Sequence, residues 1–418
     1  SSMNKKELIV IGGGAAGFFC AVNAARMNPS LEVIILEKTG KTLSKVRVSG
    51  GGRCNTTHAC FEISEMIKKY PRGTQFLRKA FSVFFTNDTI TWFEERGVPL
   101  KTEEDGRMFP ITDSSQTIID CLMREMQSYG VQLHLHCEVK KIKQRDKRFT
   151  LELAGGRLME ADFVCIASGG YPKLSMFQWL TELGHSIELP VPSLFSFNMP
   201  GNSITQLMGV AVNDAEVRIH GTKLKERGPL LITHWGMSGP VILRLSAWGA
   251  RLLAEGIGAE PYHITIRVHW IPSINEEQLR SEFTRLRFDM AAQKLSSKNP
   301  FSLPRRLWDY LLQQSGVTET MRWADLPAVL QNKLIRNLTA QEFEVKGKTT
   351  FKEEFVTAGG VRLSEIDPHT MQSKKIPGLF FAGEAMDVDG ITGGFNFQHA
   401  WTSGYIAAKA IFVLAGGK

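Results

Sequence analysis

The chain of 418 residues contains no apolar run approaching the ~18–20 residues that a membrane-spanning helix requires. Cysteine is sparse and scattered: Cys20, Cys54, Cys60, Cys121, Cys137 and Cys165, with no Cys-x-x-Cys pair. A disulfide framework is therefore not expected at this size, and a reducing, cytoplasmic setting is. There is no internal repeat and no polybasic tail. The apolar stretch after Lys6 is cut short by glycines, so it is not read as a secretory leader. Hydrophobic residues at 43% and charged residues at 22% exclude long disorder and suit a globular chain of two or three folding units. The net charge of +8 divides evenly, +4 within residues 193–343 and +4 in the remainder. A basic surface so spread is compatible with an anionic partner, nucleic acid included, without demanding one.

Glycine, by contrast, is plentiful at 38 residues, and much of it is clustered. Residues 7–11 (ELIVI) read as a short buried strand. Gly12-Gly13-Gly14-Ala15-Ala16-Gly17 follows, then a helix-like run ended by Asn28-Pro29, then a second apolar strand closed by Glu37 and Lys38. This is a βαβ unit carrying G-x-G-x-x-G. Gly12 permits the tight turn, Gly14 lets backbone approach a pyrophosphate, and Gly17 lets helix and strand touch. The N–H groups of Ala15, Ala16 and Gly17 open the helix toward phosphate. Glu37 stands 20 residues beyond Gly17, placed to accept hydrogen bonds from an adenosine ribose. The pattern predicts a dinucleotide site in an α/β, Rossmann-like domain.

Three further clusters narrow the choice of dinucleotide. Ser49-Gly50-Gly51-Gly52-Arg53-Cys54-Asn55 follows the second strand, Ser168-Gly169-Gly170 ends another buried strand, and Gly383-Glu384-Ala385-Met386-Asp387 follows the late strand GLFFA. A strand, an acidic Gly-Glu segment and a helix near the C-terminus is a flavoprotein arrangement, which an NAD domain does not need. Residues 1–192 and 344–418 are expected to form one discontinuous domain. Residues 193–343 form an insert, mostly β over 193–274 and mostly helical over 275–343. No second G-x-G-x-x-G occurs within 193–343, so a stably docked nicotinamide domain is not expected. Cys54, His58 and Cys60 are potential metal ligands in one loop; with no second cluster, no metal is expected. Cys54, taken as a partly exposed thiol beside Arg53, is a candidate proton donor, and His234, ahead of the helix start at Pro240, is the next. His399 reads as packing within the cofactor domain.

The stretches IVIGGGAAG, VSGGGRCN, CIASGGYP, THWGMSGPVIL, VTAGGV and LFFAGEAMDVDGITGGFNFQHAWTSG extend over essentially the whole chain. In them the sequence resembles the BaiN/YhiN-like flavoproteins, NAD(P)/FAD-dependent oxidoreductases with a two-dinucleotide-reductase type of FAD domain and an inserted β-plus-helical domain. The resemblance implies FAD held by the first Gly motif, Glu37, Lys45, the loop from Ser49 to Asn55 and the backbone at Val139. It adds the turn Ser168-Gly169-Gly170, Gly383, Glu384 and Asp387, and the segment Gly393, Gly394, Phe395, Asn396 and Gln398. The family's usual Gly-Arg-Lys is here Leu43-Ser44-Lys45, which keeps only the lysine. What the resemblance implies for activity is NAD(P)H, as a transient reductant, driving reduction of an electron-poor C=C. The substrate would be a steroid-like enone or the uracil of ribosomal RNA. An oxygen-using amine oxidase and a non-catalytic flavin-bearing RNA or protein binder stay open beside it, as do the choice of NADH or NADPH and the oligomeric state.

Overall fold

The structure is a computed structural model that describes residues 5–350 and 356–417. The chain divides into two compact units, Ser1–Val191 with Val356–Lys418, and Pro192–Phe355. No helix among the described residues is long and apolar enough to cross a membrane.

The first unit begins β1 (Glu7–Ile11), α1 (Ala15–Met27), β2 (Glu32–Leu36), α2 (Ser44–Gly52), β3 (Thr57–His58), α3 (Ile63–Met66), α4 (Thr74–Ala80) and α5 (Thr86–Glu94). It continues β4 (Leu100–Thr102), β5 (Arg107–Pro110), α6 (Ser115–Ser128), β6 (Gln132–His134), β7 (Val139–Arg145), β8 (Arg148–Leu153), β9 (Leu158–Ala161), β10 (Phe163–Ile166), α7 (Gln178–Glu182) and β11 (Ile187–Ser193). The second unit holds β12 (Ser196–Asn198), β13 (Ala211–Ile219), β14 (Lys225–Ile232), β15 (Gly236–Ser238), α8 (Pro240–Trp248), α9 (Ala250–Glu255), β16 (His263–His269), α10 (Glu276–Asp289), α11 (Arg305–Gln314), α12 (Ala328–Thr339), β17 (Gln341–Lys346) and β18 (Lys348–Thr349). The chain then returns with β19 (Val356–Val361), β20 (Leu379–Phe381) and α13 (Phe395–Leu414).

The site rests on a parallel sheet ordered β20-β10-β1-β2-β6. β1 and β10 are near-continuous apolar runs because the sheet is covered, by α1 and by β8 and β9, leaving no polar side. β1 pairs with β10 (Ile9 opposite Val164) and with β2 (Ile9 opposite Ile34). The late strand β20 joins beside β10, with Cys165 opposite Phe380. α1 is buried along most of its length and packs on α13. A Cβ on Gly404 of α13 would stand 2.8 Å from the Ala16 carbonyl oxygen, so glycine there lets the two backbones meet. α1 stops at Asn28, whose N–H bonds the Ala24 carbonyl ahead of Pro29.

The second unit has an antiparallel sheet of order β17-β16-β13-β14-β15-β12-β18. Its core gathers Trp270, Phe283, Trp308 and Trp323 with the apolar faces of α8, α10, α11 and α12. α8 starts at Pro240, as its fixed φ favours. The return does not come at residue 344, which lies inside β17. That strand pairs with β16 over six residues, Gln341 to Lys346, and keeps the chain in the second unit. Two helices, α8 and α9, also interrupt the 193–274 stretch.

Candidate functional site

The first Gly turn is fixed by close approach. A Cβ on Gly12 would stand 2.1 Å from the Ala167 carbonyl oxygen, and one on Gly17 would stand 1.9 Å from the Gly12 carbonyl oxygen. At Gly14, by contrast, a Cβ would meet nothing within 4 Å. Gly14 is the N-cap of α1, with no side-chain cap and no acidic residue in the first turn. The N–H groups of Ala15, Ala16 and Gly17, at the positive end of α1, thus have no capping or acidic side chain within their own turn. Glu37 is held against the turn. Its Oε1 accepts the Gly13 N–H at 3.0 Å, and its Oε2 accepts the Thr39 N–H and hydroxyl at 2.7 and 2.8 Å. Lys38 is exposed beyond it. The Cys137 N–H bonds the Glu37 carbonyl at 2.8 Å, which brings the start of β7 at Val139 to the end of β2.

Lys45, from α2, lies 2.5 Å from Glu384 Oε2. Burial by itself raises the Glu384 pKa. Lys45, the Gly170 N–H and His399 outweigh it and hold the carboxyl below its ordinary value. So the basic residue of the early segment, the Ser168-Gly169-Gly170 turn and the late Gly-Glu segment meet at one carboxylate. Gly383 is clamped from α13: His399 Nε2 is 2.9 Å from the Gly383 carbonyl oxygen, and the Gly383 N–H bonds Ser403 Oγ at 2.9 Å. Burial pulls the His399 pKa down to about 4, against the opposing pull of Gly383 and Glu384. The ring is neutral, and since a carbonyl only accepts, Nε2 carries the proton. The signal in the sequence was His399 and Ser403 spaced i, i+4 on the helix after the Gly-Glu segment. The Asp387 N–H bonds the Val361 carbonyl at 3.0 Å.

The Ser49–Asn55 stretch leaves the helical conformation at Ser49 (φ −62°, ψ 150°) and continues in a left-handed run at Gly50, Gly51 and Gly52, where φ is 58°, 68° and 86°. Glycine adopts that conformation without steric cost. The run closes where the Cys54 N–H bonds the Ser49 carbonyl at 3.0 Å, and Ser49 Oγ bonds the Val46 carbonyl. Cβ atoms on Gly51, Gly52 or Gly169 would meet nothing within 4 Å. Cys54 is not partly exposed. Its own φ of 62° accompanies a fully buried thiol, and burial pushes its pKa up to about 11, with Thr56 and Ser49 opposing. Arg53 does not lower it, because the guanidinium is engaged by Glu103 at 2.9 Å, Asp113 at 3.3 Å and the face of Phe109. A sealed thiol is packing, so the proton-donor expectation for Cys54 is withdrawn. His234 is exposed in the second unit, its ring edge-on to Trp235.

Other expected ligand side chains serve as braces. Gln398 is fully buried: its Oε1 accepts from the Thr57 and Thr89 hydroxyls at 2.6 and 2.9 Å, and its amide nitrogen donates to Thr402. Asn396 Oδ1 accepts the Gly390 N–H and its amide nitrogen donates to the Gly390 carbonyl. With its amide assigned from its partners, Asn55 accepts the Gly394 N–H at 3.0 Å and donates to the Thr57 carbonyl. Phe395 is buried, and its carbonyl accepts from the Tyr70 hydroxyl at 2.6 Å. What these braces hold in place is the start of α13, whose N-cap Gly394 likewise has no side-chain cap and no acidic residue in the first turn. Sequence reasoning missed Thr57, Tyr70 and the bidentate pair of Arg72 with Asp389, because each partner is more than 300 residues away. Among the described residues no group of three His, Cys, Asp or Glu side chains is arranged to hold a metal ion.

Residues 6–410 match the family model described as the HI0933-like protein Rossmann domain. The ribosomal RNA dihydrouridine synthase of Escherichia coli strain K12 is 30% identical over 416 residues, covering 97% of this chain and 98% of that protein. The 3-dehydro-bile acid delta(4,6)-reductase of Clostridium scindens is 27% identical over 409 residues, covering 96% and 98%. Among solved structures, the open conformation of a flavocytochrome c3 fumarate reductase superposes with a TM-score of 0.50 at 15% identity, covering 98% of this chain and 78% of that one. At that identity the likeness is one of fold. The glycine-fixed βαβ turn, the parallel sheet and the match over nearly the whole chain together place this protein in the HI0933-like Rossmann-domain family.

Proposed function

We propose that this protein is an FAD-dependent oxidoreductase that reduces an electron-poor, conjugated C=C, with NAD(P)H as a transient reductant. The observation that carries the cofactor reading is that two of the first unit's uncapped, acid-free helix starts, those of α1 and α13, follow Gly-rich turns. α1 and α13 both open on glycine, and a Cβ on Gly383 would stand 2.8 Å from the Cβ of Ala16. Gly14, Gly51, Gly52 and Gly169 each leave open the space a Cβ would take, which suits backbone approached by a long, flat, anionic dinucleotide. The first turn of α1 would hold the diphosphate and Glu37 the adenosine ribose. Lys45 and Glu384 would meet the polar chain between diphosphate and ring, and the first turn of α13 would face the ring's pyrimidine edge. When bound, FAD supplies two-electron transfer between reductant and substrate. The chain's own part is to orient, to shield, and to present N–H groups where negative charge develops.

The substrate class is supported by the two relatives, whose names both describe addition of two hydrogens to a conjugated double bond. A transient reductant is supported by the lack of a second G-x-G-x-x-G in residues 193–343. Six free cysteines fit a reducing, cytoplasmic setting. The test begins with purified protein, whose released cofactor should be FAD and whose flavin should bleach with NADH or NADPH without oxygen. Reoxidation is then followed with a 3-oxo-4,6-diene steroid. Ribosomal RNA from a deletion strain is analysed for loss of dihydrouridine by nucleoside mass spectrometry. Oxygen consumption driven by an amine, or RNA binding with no reduction by either nicotinamide, would replace this reading with an amine oxidase or a flavin-bearing binder.

A further inference from the structure

The peptide that leads into α13 is gripped at both polar atoms by residues at or just before β3. His58 Nδ1 lies 2.9 Å from the Gly393 carbonyl oxygen, and Asn55 accepts the N–H of Gly394 at 3.0 Å. The His58 ring stacks on Phe395, with centroids 4.6 Å apart and planes 26° from parallel. A Cβ on Gly394 would stand 2.6 Å from the Thr57 carbonyl oxygen, so β3 lies directly against the helix start. A Cβ on Gly106 would stand 2.4 Å from His58 Nε2, so backbone also covers the far side of the ring.

These contacts fix the state of the imidazole. A carbonyl can only accept, so Nδ1 carries the proton and the ring is held as the Nδ1–H tautomer. Burial lowers its pKa below the ordinary histidine value. The Gly393 carbonyl and Asp105 pull it up, while Lys69 and Arg107 pull it down. The ring is neutral near pH 7. With Nε2 facing the Gly106 backbone, it is not offered as an acid.

We infer that His58 is a positioning residue: by holding the Gly393 carbonyl it sets the direction of the first turn of α13 and thereby the reduction potential of the flavin bound there. The inference rests on the FAD reading above. The Gly393–Gly394 peptide, with φ of 135° and 91° at its two glycines, has wide conformational freedom on its own. Tied by His58 and Asn55, it cannot turn its carbonyl toward the ring edge, where an oxygen would oppose the charge that reduction creates. The partial positive end of α13 would then face that edge of a bound flavin without competition.

The experiment has two arms. In flavin-free protein, ¹⁵N NMR of His58 should show the Nδ1–H tautomer; an Nε2–H ring would overturn the inference without involving any cofactor. In holoprotein, the midpoint potential is measured for wild type, His58→Phe and His58→Asn. Phenylalanine keeps the stacking on Phe395 but loses the donor. Its preference for reduced over oxidised flavin should fall about tenfold, ~30 mV more negative for a two-electron couple. Asparagine carries an amide N–H close to where Nδ1–H sits and should recover most of that difference. An unchanged potential in His58→Phe, or no recovery in His58→Asn, overturns the inference while leaving the FAD reading intact. Failure of the wild type to take up flavin overturns both.

Discussion

Gly14 and Gly17 stand three residues apart in one turn, yet a methyl group at each should do different things. At Gly17 the added carbon would stand 1.9 Å from the Gly12 carbonyl oxygen, whereas real Cβ contacts essentially never fall below 3.0 Å. Backbone must therefore move by ~1 Å in a turn already wedged against Ala167 and Ser168. Overpacking of that kind costs about 1–3 kcal/mol or more. The helix-propensity gain of alanine over glycine, at most ~1 kcal/mol, does not offset it. For a unit of this size a net loss of about 1–2 kcal/mol corresponds to a fall in Tm of roughly 2–8 °C. At Gly14 nothing lies within 4 Å, and φ of −92° suits alanine. Stability should fall by less than about 1 kcal/mol, the cost of losing a glycine N-cap. Flavin affinity should fall by at least ~10-fold, because the methyl group occupies the face offered to the diphosphate. The assay is circular-dichroism melting of flavin-free Gly14→Ala and Gly17→Ala, with FAD titrated fluorimetrically into each. A Gly17→Ala protein as stable as wild type would refute the close-packing argument. A Gly14→Ala protein with undiminished FAD affinity would remove the diphosphate from the start of α1.

His399 is held at about 4, below its unfolded value of ~6.5, so its contribution to stability is present above pH ~6.5 and lost as pH falls through about 4. His399→Gln should flatten the dependence of Tm on pH between 6.5 and 4, and an equally steep curve in the variant would count against this. Asp389→Asn should cost about 3–5 kcal/mol in urea unfolding by stranding the largely buried Arg72, with the Arg72→Met, Asp389→Asn double variant recovering part of the loss. Cys54, buried with its pKa pushed up to about 11, should resist iodoacetamide in native protein at pH 8 while Cys60 and Cys137, which are half-buried, react first. Peptide mapping that found Cys54 modified first would contradict its burial.

The βαβ turn was legible because its requirements are local. Gly12 and Gly17 answer to each other across five residues, and Glu37 follows at the distance that one helix and one strand dictate. The apolar strand near the C-terminus was likewise recognisable, though not its seat beside β10. What a polar residue next to glycine will face was not legible, because that depends on partners remote in sequence. Gln398 looks like a ligand in GGFNFQ, but Thr57 and Thr89, 341 and 309 residues away, consume its amide oxygen. The exposure of Cys54 and the pull of Arg53 on its thiol were misread for the same reason: the left-handed backbone at Cys54 goes with a buried thiol, and Glu103 and Asp113 claim the guanidinium. His185 gave no signal at all. It bonds Glu365 at 2.9 Å and Ser373 Oγ at 2.8 Å, a Ser-His-Glu trio assembled across 180 and 188 residues. The trio is not a nucleophilic site. Ser373, His185 and Glu365 are all buried away from solvent, and the serine oxygen also accepts the N–H groups of Lys375 and Ile376, so the cluster is a closed brace.

The same division of labour recurs through the first unit, with side chains bracing the backbone of the Gly-rich turns. His58 and His399 make the point together, each bonded to the carbonyl of a glycine, Gly393 and Gly383, in the two late segments of the candidate site. Either imidazole, if charged, would still donate its hydrogen bond, but it would add a positive charge that varies with pH. Burial lowers both pKa values and keeps both rings neutral near pH 7. The positive character there is then set by the starts of α1 and α13, whose partial charge comes from backbone N–H groups and does not titrate. A flavin held there would see no change of charge on either histidine as pH rises from neutrality. The pH dependence of its potential over that range should therefore follow the protons taken up by the ring itself rather than those of the two histidines.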